Sequence, residues 1–358
     1  MSTDGMNYLP AMKPAPVVKP GEFLFAASHF DHGHIYAQIR GLANAGGVCR
    51  YIYEPRADKL ESLKDLIEGG TKIVSSLDEI LADPEVHVVT SAAIPNQRAE
   101  IGLRVLEAGK DYFTDKSPFT TLEQLDRVRA KVAETGRKYM VCYSERLCSE
   151  SAWQAGELIR QGMIGRVLQV LNLAPHNLSA ASRPDWFFRK DCYGGILTDI
   201  GSHQFEQFLT YAGATDGSVN FARVSNFANP IHPGFEDFGE ASLTLNTGAS
   251  AYSRVDWFNP KASRVWGDGR TFILGEKGYM ELRKLIDLTR EGGGEQIFLV
   301  NDEVETMIAC GGKVGFPFFG QFILDVLNRT EHAMTQAHAF KAAELSMKAQ
   351  AFADQLNK

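Results

Sequence analysis

The chain has little of what marks disulfide-rich, membrane-spanning or nucleic-acid-binding proteins. Its 358 residues include five cysteines, an odd number without a C-x-x-C pair, which favours reduced thiols in a cytoplasmic protein. No apolar run approaches the roughly 18 residues that a membrane-spanning helix needs. The formal net charge of -7 argues against nucleic acid or an anionic membrane as a partner. We therefore expect a cytoplasmic protein that binds neither nucleic acid nor membrane.

The first twenty residues also lack an apolar stretch of the kind found in secretory signals. They contain four prolines, which together with their low apolar content predicts a flexible tail over residues 1–20. The composition as a whole, 44% hydrophobic and 23% charged, is typical of globular proteins. A chain of this length exceeds what one hydrophobic core usually fills, so two domains are expected.

Residues 21–145 alternate between short apolar strands and amphipathic helices. The clearest strands are expected at 23–27, 48–53, 86–91 and 111–114. Helices are expected over 56–68 and over 121–135, the latter with Thr120 as its N-cap. This alternation predicts an α/β domain with a doubly wound parallel sheet, whose ligands lie at the carboxyl ends of the strands.

Residues 146–358 change to extended segments that follow one another without helices between them. These segments are 219–226, 239–245, 249–257, 271–274, 279–282 and 296–300. Their succession predicts an α+β domain with a large, open-faced, mostly antiparallel sheet, followed by closing helices over 318–355. The open face is expected to be a subunit contact in a homodimer or homotetramer.

Within the second domain, the segment Gly194–Glu206 carries polar residues on an otherwise apolar helix. Asp199, His203 and Glu206 are spaced i, i+4 and i+7, which places them on one face. A buried carboxylate–imidazole stripe is costly unless its groups are paired or used in chemistry. We interpret these residues as a candidate site; the alternative is a surface helix whose polar face contacts water.

The turn after the first strand, residues 26–35, has histidines where a dinucleotide-binding turn has glycines. Only Gly33 lies where such a glycine is expected. The surroundings still fit, because a helix follows and Glu54 comes about 21 residues later, where an acid can accept the ribose hydroxyls of NAD. Arg56 leaves NADP possible, since an arginine can bind a 2′-phosphate. The alternative for Glu54 is a solvated acid at a strand end.

The same turn offers a competing interpretation as a metal site. His29, Asp31, His32 and His34 have the ligand atoms that zinc or another divalent cation binds. Four ligands from one six-residue loop rarely reach a single tetrahedral centre. We therefore predict no metal, and favour a polar loop beside a cofactor.

A second candidate for a catalytic residue follows the strand at 111–114. Pro118 favours extended geometry at Ser117 and ends the strand, so Lys116 is expected at the carboxyl edge of the sheet. There the lysine could position or polarise a substrate hydroxyl. The alternative is an exposed strand-end lysine, which is the usual environment of lysine.

Together these motifs resemble those of the Gfo/Idh/MocA oxidoreductases. The segment Asp115–Pro118 is similar to the family's Glu-Lys-Pro motif, with aspartate for glutamate and an additional serine. Gly194–Glu206 is similar to its Gly-Gly-x-x-x-Asp-x-Gly-x-His-x-x-Asp motif. The resemblance covers nearly the whole chain after the tail. It implies a Rossmann domain followed by an open-faced sheet, and an NAD- or NADP-dependent enzyme.

The resemblance also assigns roles to individual residues. Lys116 would orient or polarise the reacting hydroxyl, His203 would take its proton, and Asp199 would hold His203 or a neighbouring hydroxyl. The glycine fingerprint is replaced by the His-rich turn, so side chains would supply contacts that glycine backbone normally gives. The residues expected at the cofactor are Ser28, His29, Gly33, His34, Glu54, Arg56, Ala92, Asn96, Asp115 and Lys116.

The expected substrate is a small carbohydrate or cyclic polyol. Arg146 and Arg183 could pair with a carboxylate or sulfonate, and Trp186 could stack on a sugar face. Either arginine could instead be a surface ion-pair partner. Glu206 occupies a position where the family has Asp or Glu, and completes the expected substrate contacts.

The resemblance, taken with these residues, leaves three function classes open. The first is hydride transfer between NAD or NADP and a ring hydroxyl of a sugar, sugar acid or polyol. The second is a glycosidase or lyase that uses the same cofactor transiently, by oxidation and elimination. The third is a non-catalytic or metal-binding descendant. Retention of Lys116, Asp199 and His203 argues against the third, because a pure binding protein does not need all of them.

Overall fold

A computed structural model describes residues 14–59, 70–289 and 293–356, which form two compact units. The first unit contains the described residues of Lys13–Cys142 together with Pro317–Ala339. The second contains those of Tyr143–Phe316 and Phe340–Lys358.

The first unit is built on a parallel sheet of six strands in the order β3-β2-β1-β4-β5-β6. Its central strands are buried on both faces, as apolar runs such as VHVVTS predict. This confirms the expected doubly wound sheet. The strands are β1 Leu24–Ser28, β2 Val48–Tyr53, β3 Lys72–Ile73, β4 Val86–Ser91, β5 Asp111–Asp115 and β6 Tyr139–Cys142.

Helices join these strands, and polar caps set their ends. The Ser76 hydroxyl accepts from the Glu79 amide at the start of one helix. The cap of the long helix is Thr121 rather than Thr120, because the Thr121 hydroxyl accepts from Gln124 N. The expected helix at 56–68 lies mostly outside the described residues. The helices are α1 His34–Asn44, α2 Leu77–Ala82, α3 Arg98–Glu107 and α4 Leu122–Thr135.

A fifth helix of this unit, α10 Pro317–Asn328, comes from the C-terminal part of the chain. The sequence pattern predicts this helix in the second domain, with the other closing helix. In the structure the ring of Phe113 on β5 contacts Phe318 and Phe322, with centroid separations of 5.8 and 5.0 Å. Burial of these aromatic rings against the sheet explains why the helix belongs to the first unit.

The last residues of the expected flexible tail are also bound to the first unit. Val17 N donates to Ala45 O at 2.9 Å. A Cβ added at Gly320 would lie 3.0 Å from the Val17 side chain. Residues 14–20 are therefore anchored beside α1 and α10, unlike a free tail.

The second unit contains an eight-stranded sheet in the order β14-β13-β12-β11-β7-β10-β9-β8. It is antiparallel except where β7 pairs with β10, which confirms the expected mostly antiparallel sheet. Strands β7 and β14 are not among the extended segments expected from the sequence. The strands are β7 Val167–Pro175, β8 Gly217–Ser225, β9 Phe238–Leu245, β10 Ser250–Asp256, β11 Arg270–Gly275, β12 Gly278–Arg283, β13 Gln296–Asn301 and β14 Glu305–Ala309.

One face of this sheet is packed against helices, while the other retains exposed apolar side chains. Phe272, Leu274 and Tyr279 are 38–46% exposed. Such a face fits a subunit contact, and the expected homodimer or homotetramer stays a prediction. Among the described residues, no helix is long and apolar enough to cross a membrane. The helices are α5 Ser144–Leu147, α6 Glu150–Arg160, α7 Lys190–Tyr193, α8 Ile196–Asp199, α9 Gly201–Ala212 and α11 Gln336–Leu356.

Close packing at Gly102 yields a test of the first unit. A Cβ at this position in α3 would lie 2.3 Å from the Tyr139 ring and 2.8 Å from that of Tyr112. We expect Gly102→Ala to lower the free energy of unfolding by about 1–2 kcal/mol, since overpacking outweighs the gain in helix propensity. Gly156→Ala in α6 is the control, because its added methyl meets no atom within 4 Å. Equal calorimetric unfolding profiles for the two variants would contradict this packing.

Candidate functional site

The predicted cofactor contacts of the first unit lie at or near the carboxyl ends of four neighbouring strands. Ser28 on β1 pairs in register with Tyr53 on β2 and with Ser91 on β4. Ser91 pairs in turn with Thr114 on β5. The residues that follow these positions therefore lie along one edge of the sheet. They include His29, Glu54, Ala92 and Asp115.

Glu54 organises the turn after β1. Its carboxylate oxygens accept from the backbone amides of Phe30, at 2.6 Å, and Arg56, at 2.9 Å. Burial raises the pKa of the Glu54 carboxyl, while these two hydrogen bonds oppose that shift. Lys59 donates to Phe30 O and lies 3.2 Å from Asp31, so it supports the same turn. Glu54 is thus a buried acid at a strand end and not a solvated one, and its role at the cofactor stays a prediction.

The backbone at His29 has φ of +56°, in the left-handed region that favours glycine. The His-rich turn therefore takes up a conformation that glycine would adopt without strain. Burial lowers the pKa of His29 to about 4, so its imidazole is neutral at pH 7. Its Nδ1 is buried and has no hydrogen-bond partner among the described residues, and the same holds for Ser28 Oγ.

Asp115 lies at the centre of a buried charge cluster. Its carboxylate is 2.9 Å from His34 Nδ1 and 3.2 Å from His32 Nδ1. Arg98 Nη2 lies 3.5 Å away. Burial raises the pKa of the Asp115 carboxyl, but His34, Arg98 and His32 outweigh it and hold the pKa well below its usual range. Burial lowers the pKa of His32 to about 3, so this imidazole is neutral.

Within the described residues, His32, His34 and Asp115 have ligand atoms within 4.8 Å of one another and could hold a metal ion. They differ from the set considered in the sequence, because Asp115 replaces His29 and Asp31. The Asp115 carboxylate also faces the guanidinium of Arg98, which reduces its attraction for a cation. The expectation that no metal binds stays a prediction.

Arg98, which the sequence analysis missed, fixes the backbone at Lys116. Its Nη1 donates to Lys116 O and, at 3.0 Å, to Ser117 O. Its Nε donates to Ala93 O at 2.7 Å. An arginine at the first position of a helix gives no local signal of burial, although this side chain is only 1% exposed. Nearby, Gln124 Nε2 donates to Asn96 O at 2.9 Å.

In the second unit, the paired glycines ahead of Asp199 have a steric reason. Gly194 and Gly195 have φ of +85° and +96°. A Cβ at Gly195 would lie 2.2 Å from the Gln350 side chain. The chain turns here into α8 and α9, on which Asp199 is half-buried and His203 is 3% exposed.

The predicted substrate contacts Arg146 and Glu206 lie against each other. Arg146 Nε donates to both carboxylate oxygens of Glu206, at 2.7 and 2.9 Å, and Glu206 is fully buried. Glu206 also accepts from the Thr210 hydroxyl at 2.9 Å. Burial opposes the charge on Arg146, but Glu206 outweighs it and raises the pKa of the guanidinium. Whether either residue contacts substrate stays a prediction.

A second buried network surrounds Glu145 and was not predicted. Its carboxylate accepts from Gln204 Nε2 at 2.8 Å and lies 3.5 Å from Lys284 Nζ. His176 Nε2 is 3.6 Å from the other oxygen. Burial raises the pKa of Glu145, yet the charges of Lys284, His203 and His176 bring it down to about 2. The ionised carboxylate of Glu145 thus lies within electrostatic range of His203.

Arg183 and Trp186 lie among aromatic side chains. The Arg183 guanidinium is 4.5 Å from the ring centroid of Phe187 and 5.3 Å from that of Trp257. Trp186 packs edge-on against Phe187, with centroids 6.0 Å apart. Its indole Nε1 is buried and has no hydrogen-bond partner among the described residues.

Comparison with known proteins identifies both halves of the chain. Residues 38–143 match the model of the oxidoreductase family with an NAD-binding Rossmann fold, and residues 153–281 match the GFO/IDH/MocA C-terminal domain. A crystal structure of a protein assigned as an oxidoreductase from Erwinia carotovora atroseptica SCRI1043 is 45% identical, with a TM-score of 0.89. That alignment covers 92% of this chain and 98% of the other.

More distant relatives include named dehydrogenases. D-xylose dehydrogenase of Paenarthrobacter nicotinovorans is 27% identical over 134 residues, which cover 36% of this chain and 34% of the relative. Levoglucosan dehydrogenase of Pseudarthrobacter phenanthrenivorans is 32% identical over 138 residues, 38% of this chain and 35% of the relative. The chain thus aligns with about a third of the length of these relatives. A levoglucosan dehydrogenase structure with NADH and levoglucosan, 17% identical with a TM-score of 0.78, shares the fold over 94% of this chain and 98% of that one.

The pair Arg146–Glu206 can be tested as a structural element. Arg146→Met should lower the free energy of unfolding by about 3–5 kcal/mol, because it leaves a buried carboxylate without its counter-charge. The double variant Arg146→Met/Glu206→Leu should be more stable than the single variant, since no buried charge remains. Thermal unfolding of both variants measures this coupling. Unchanged stability together with a raised KM would instead support substrate contact.

Proposed function

Because the chain belongs to the Gfo/Idh/MocA oxidoreductase family, we propose that it transfers hydride between NAD and a ring CH–OH group of a sugar or cyclic polyol. The observation that carries this proposal is the Asp115–Lys116 segment. It lies at the carboxyl end of β5 in a parallel sheet, where such folds bind nucleotides, and Arg98 fixes its backbone.

The residues at this sheet edge fit NAD. Ser28 Oγ and His29 Nδ1 are buried polar atoms that lack a hydrogen-bond partner among the described residues, and a phosphate or ribose oxygen would satisfy them. Glu54 would accept the ribose hydroxyls, with Gly33, His34, Ala92 and Asn96 as further contacts. When bound, NAD supplies the acceptor for the hydride.

The residues of the chain supply positioning and proton transfer. Lys116 would donate to the oxygen of the reacting hydroxyl and lower its pKa. His203 would take the proton, and the negative charge of Glu145 stabilises the imidazolium that results. Asp199, four residues before His203, would hold His203 or a neighbouring hydroxyl.

A carbohydrate is the substrate class best supported. D-xylose dehydrogenase and levoglucosan dehydrogenase are named for reactions on sugars, and both align with part of this chain. Aromatic side chains such as Trp257 and Trp266 in the second unit suit the apolar faces of a sugar ring.

Cofactor binding is tested by fluorescence titration with NADH and NADPH. We expect NADH to bind. Glu54→Gln should lower the affinity for NADH about 10-fold or more, because the variant loses the charged carboxylate that would accept hydrogen bonds from the ribose hydroxyls. Arg56→Gln should weaken NADPH more than NADH if the enzyme uses NADP. Failure of the wild-type protein to bind either nucleotide would refute the proposal.

The base assignment is tested by His203→Ala. We expect kcat to fall by about 10²–10⁴-fold without loss of NADH binding, because the variant lacks the group that takes the proton. His332→Ala is the control, since this histidine is exposed and distant in the chain. Turnover is followed as NADH formation with D-xylose, levoglucosan and myo-inositol. Wild-type turnover in the His203 variant would remove this residue from the mechanism.

A further inference from the structure

Arg183 is a cation whose immediate neighbours are aromatic rings. Besides Phe187 and Trp257, the ring of Trp266 lies with its centroid 5.7 Å from the guanidinium carbon. One guanidinium nitrogen, Nε, donates to Leu178 O at 2.9 Å. Another, Nη2, is buried and has no hydrogen-bond partner among the described residues. The Nη2 group of this guanidinium is therefore able to donate a hydrogen bond to a ligand.

Other buried cations in the second unit have protein carboxylates as neighbours. Arg146 binds Glu206 through two hydrogen bonds, and Lys284 lies 3.5 Å from Glu145. Arg183 is held by π faces, which stabilise a cation without neutralising it. Burial consequently lowers the pKa of the Arg183 guanidinium to about 10, with Asp199 as the charge that opposes the shift. A bound anion would offset this cost of burial.

A cleft of about 830 Å³ adjoins this group of rings. Residues 177–182 and 257–261 line it, so it lies immediately before Arg183 in the chain and shares Trp257 with the aromatic group. Its volume is in the range of small-molecule sites. Lys261 on its wall adds a second positive charge. The cleft therefore combines room for a monosaccharide, a tryptophan on which it can pack, and nearby cations.

We propose that the substrate is a sugar acid, and that Arg183 binds its carboxylate. This inference rests on the function proposed above and narrows its substrate class. Arginine suits the role because its planar fork pairs with a carboxylate through two parallel hydrogen bonds. The charge of the Asp199 carboxylate acts on the same guanidinium, and a carboxylate oxygen can accept a hydrogen bond from a hydroxyl. A sugar acid has both functional groups: its carboxylate would pair with Arg183, and one of its hydroxyls would donate to Asp199.

The test compares acids with neutral sugars of the same configuration. The pairs are D-glucuronate with D-glucose, D-galacturonate with D-galactose, and D-gluconate with D-glucitol. Binding to the NADH complex is measured by calorimetry, and oxidation is measured as NADH formation from NAD. We expect at least one acid to bind 10-fold or more tightly than its neutral partner, because a charge-assisted hydrogen bond discriminates on this scale.

Variants link the preference to Arg183. Arg183→Gln should weaken the binding of the preferred acid by about 10–100-fold. The affinity for its neutral partner should change by no more than about 3-fold, because only the acid uses the charge. Arg183→Lys should restore part of the binding, since it keeps the charge but loses the fork. Arg166→Gln is the control, because Arg166 pairs with Glu276 on the surface. Unchanged NADH affinity and melting temperature show that each variant is folded.

The two proposals fail in different ways. Neutral sugars that bind as well as the acids, absence of binding by every acid, or an Arg183→Gln variant with wild-type affinity would overturn the inference. Oxidation of the neutral sugars in those cases would leave the proposed function intact. Acids that bind through Arg183 while no sugar of either kind reduces NAD would support Arg183 as a carboxylate site, and would refute both the sugar acid as substrate and the proposed hydride transfer on this panel.

Discussion

An ionised side chain can be buried only if opposite charges or hydrogen bonds compensate for lost hydration, and Arg98 shows how much of the first unit depends on this constraint. Its guanidinium donates to the carbonyls of Ala93, Lys116 and Ser117. The same group faces the Asp115 carboxylate. Because these acceptors follow β4 and β5, a single buried cation joins the ends of two strands and sets the backbone from which the Lys116 side chain extends.

The same constraint gives the buried cations of the second unit two kinds of environment. Arg146 contacts the Glu206 carboxylate on α9, and Lys284 lies near the carboxylate of Glu145. Arg183 has rings instead, which tolerate a cation but leave donors to be satisfied. From residue type alone, Arg146 and Arg183 would be equal candidates for an anion-binding site. The difference in partners, and not in charge, is the reason for proposing Arg183 as the residue that binds a carboxylate.

Local patterns in the sequence were sufficient for the fold class. Apolar strands alternating with helices predict a parallel sheet, which the first unit has. Partners far apart in the chain were not predictable. The aromatic contacts that place α10 on the first sheet involve Phe113, some two hundred residues earlier. Burial of Arg98 and Lys284 likewise depends on carboxylates and carbonyls that no local spacing reveals.

The His-rich turn shows what replaces glycine when the fingerprint is absent. His29 adopts a positive φ that costs on the order of 1–3 kcal/mol in a non-glycine residue. Hydrogen bonds to both neighbouring strands offset this cost: His29 N donates to Tyr53 O, and Ala92 N donates to His29 O. The hydrogen bonds that hold the turn also limit which of its groups can bind a phosphate. The amide of Phe30 is occupied by Glu54, so the turn has fewer backbone donors for phosphate than a glycine-rich turn. Binding of a pyrophosphate here would then draw on side chains, and the buried Ser28 hydroxyl and His29 Nδ1 at the end of β1 have no hydrogen-bond partner among the described residues.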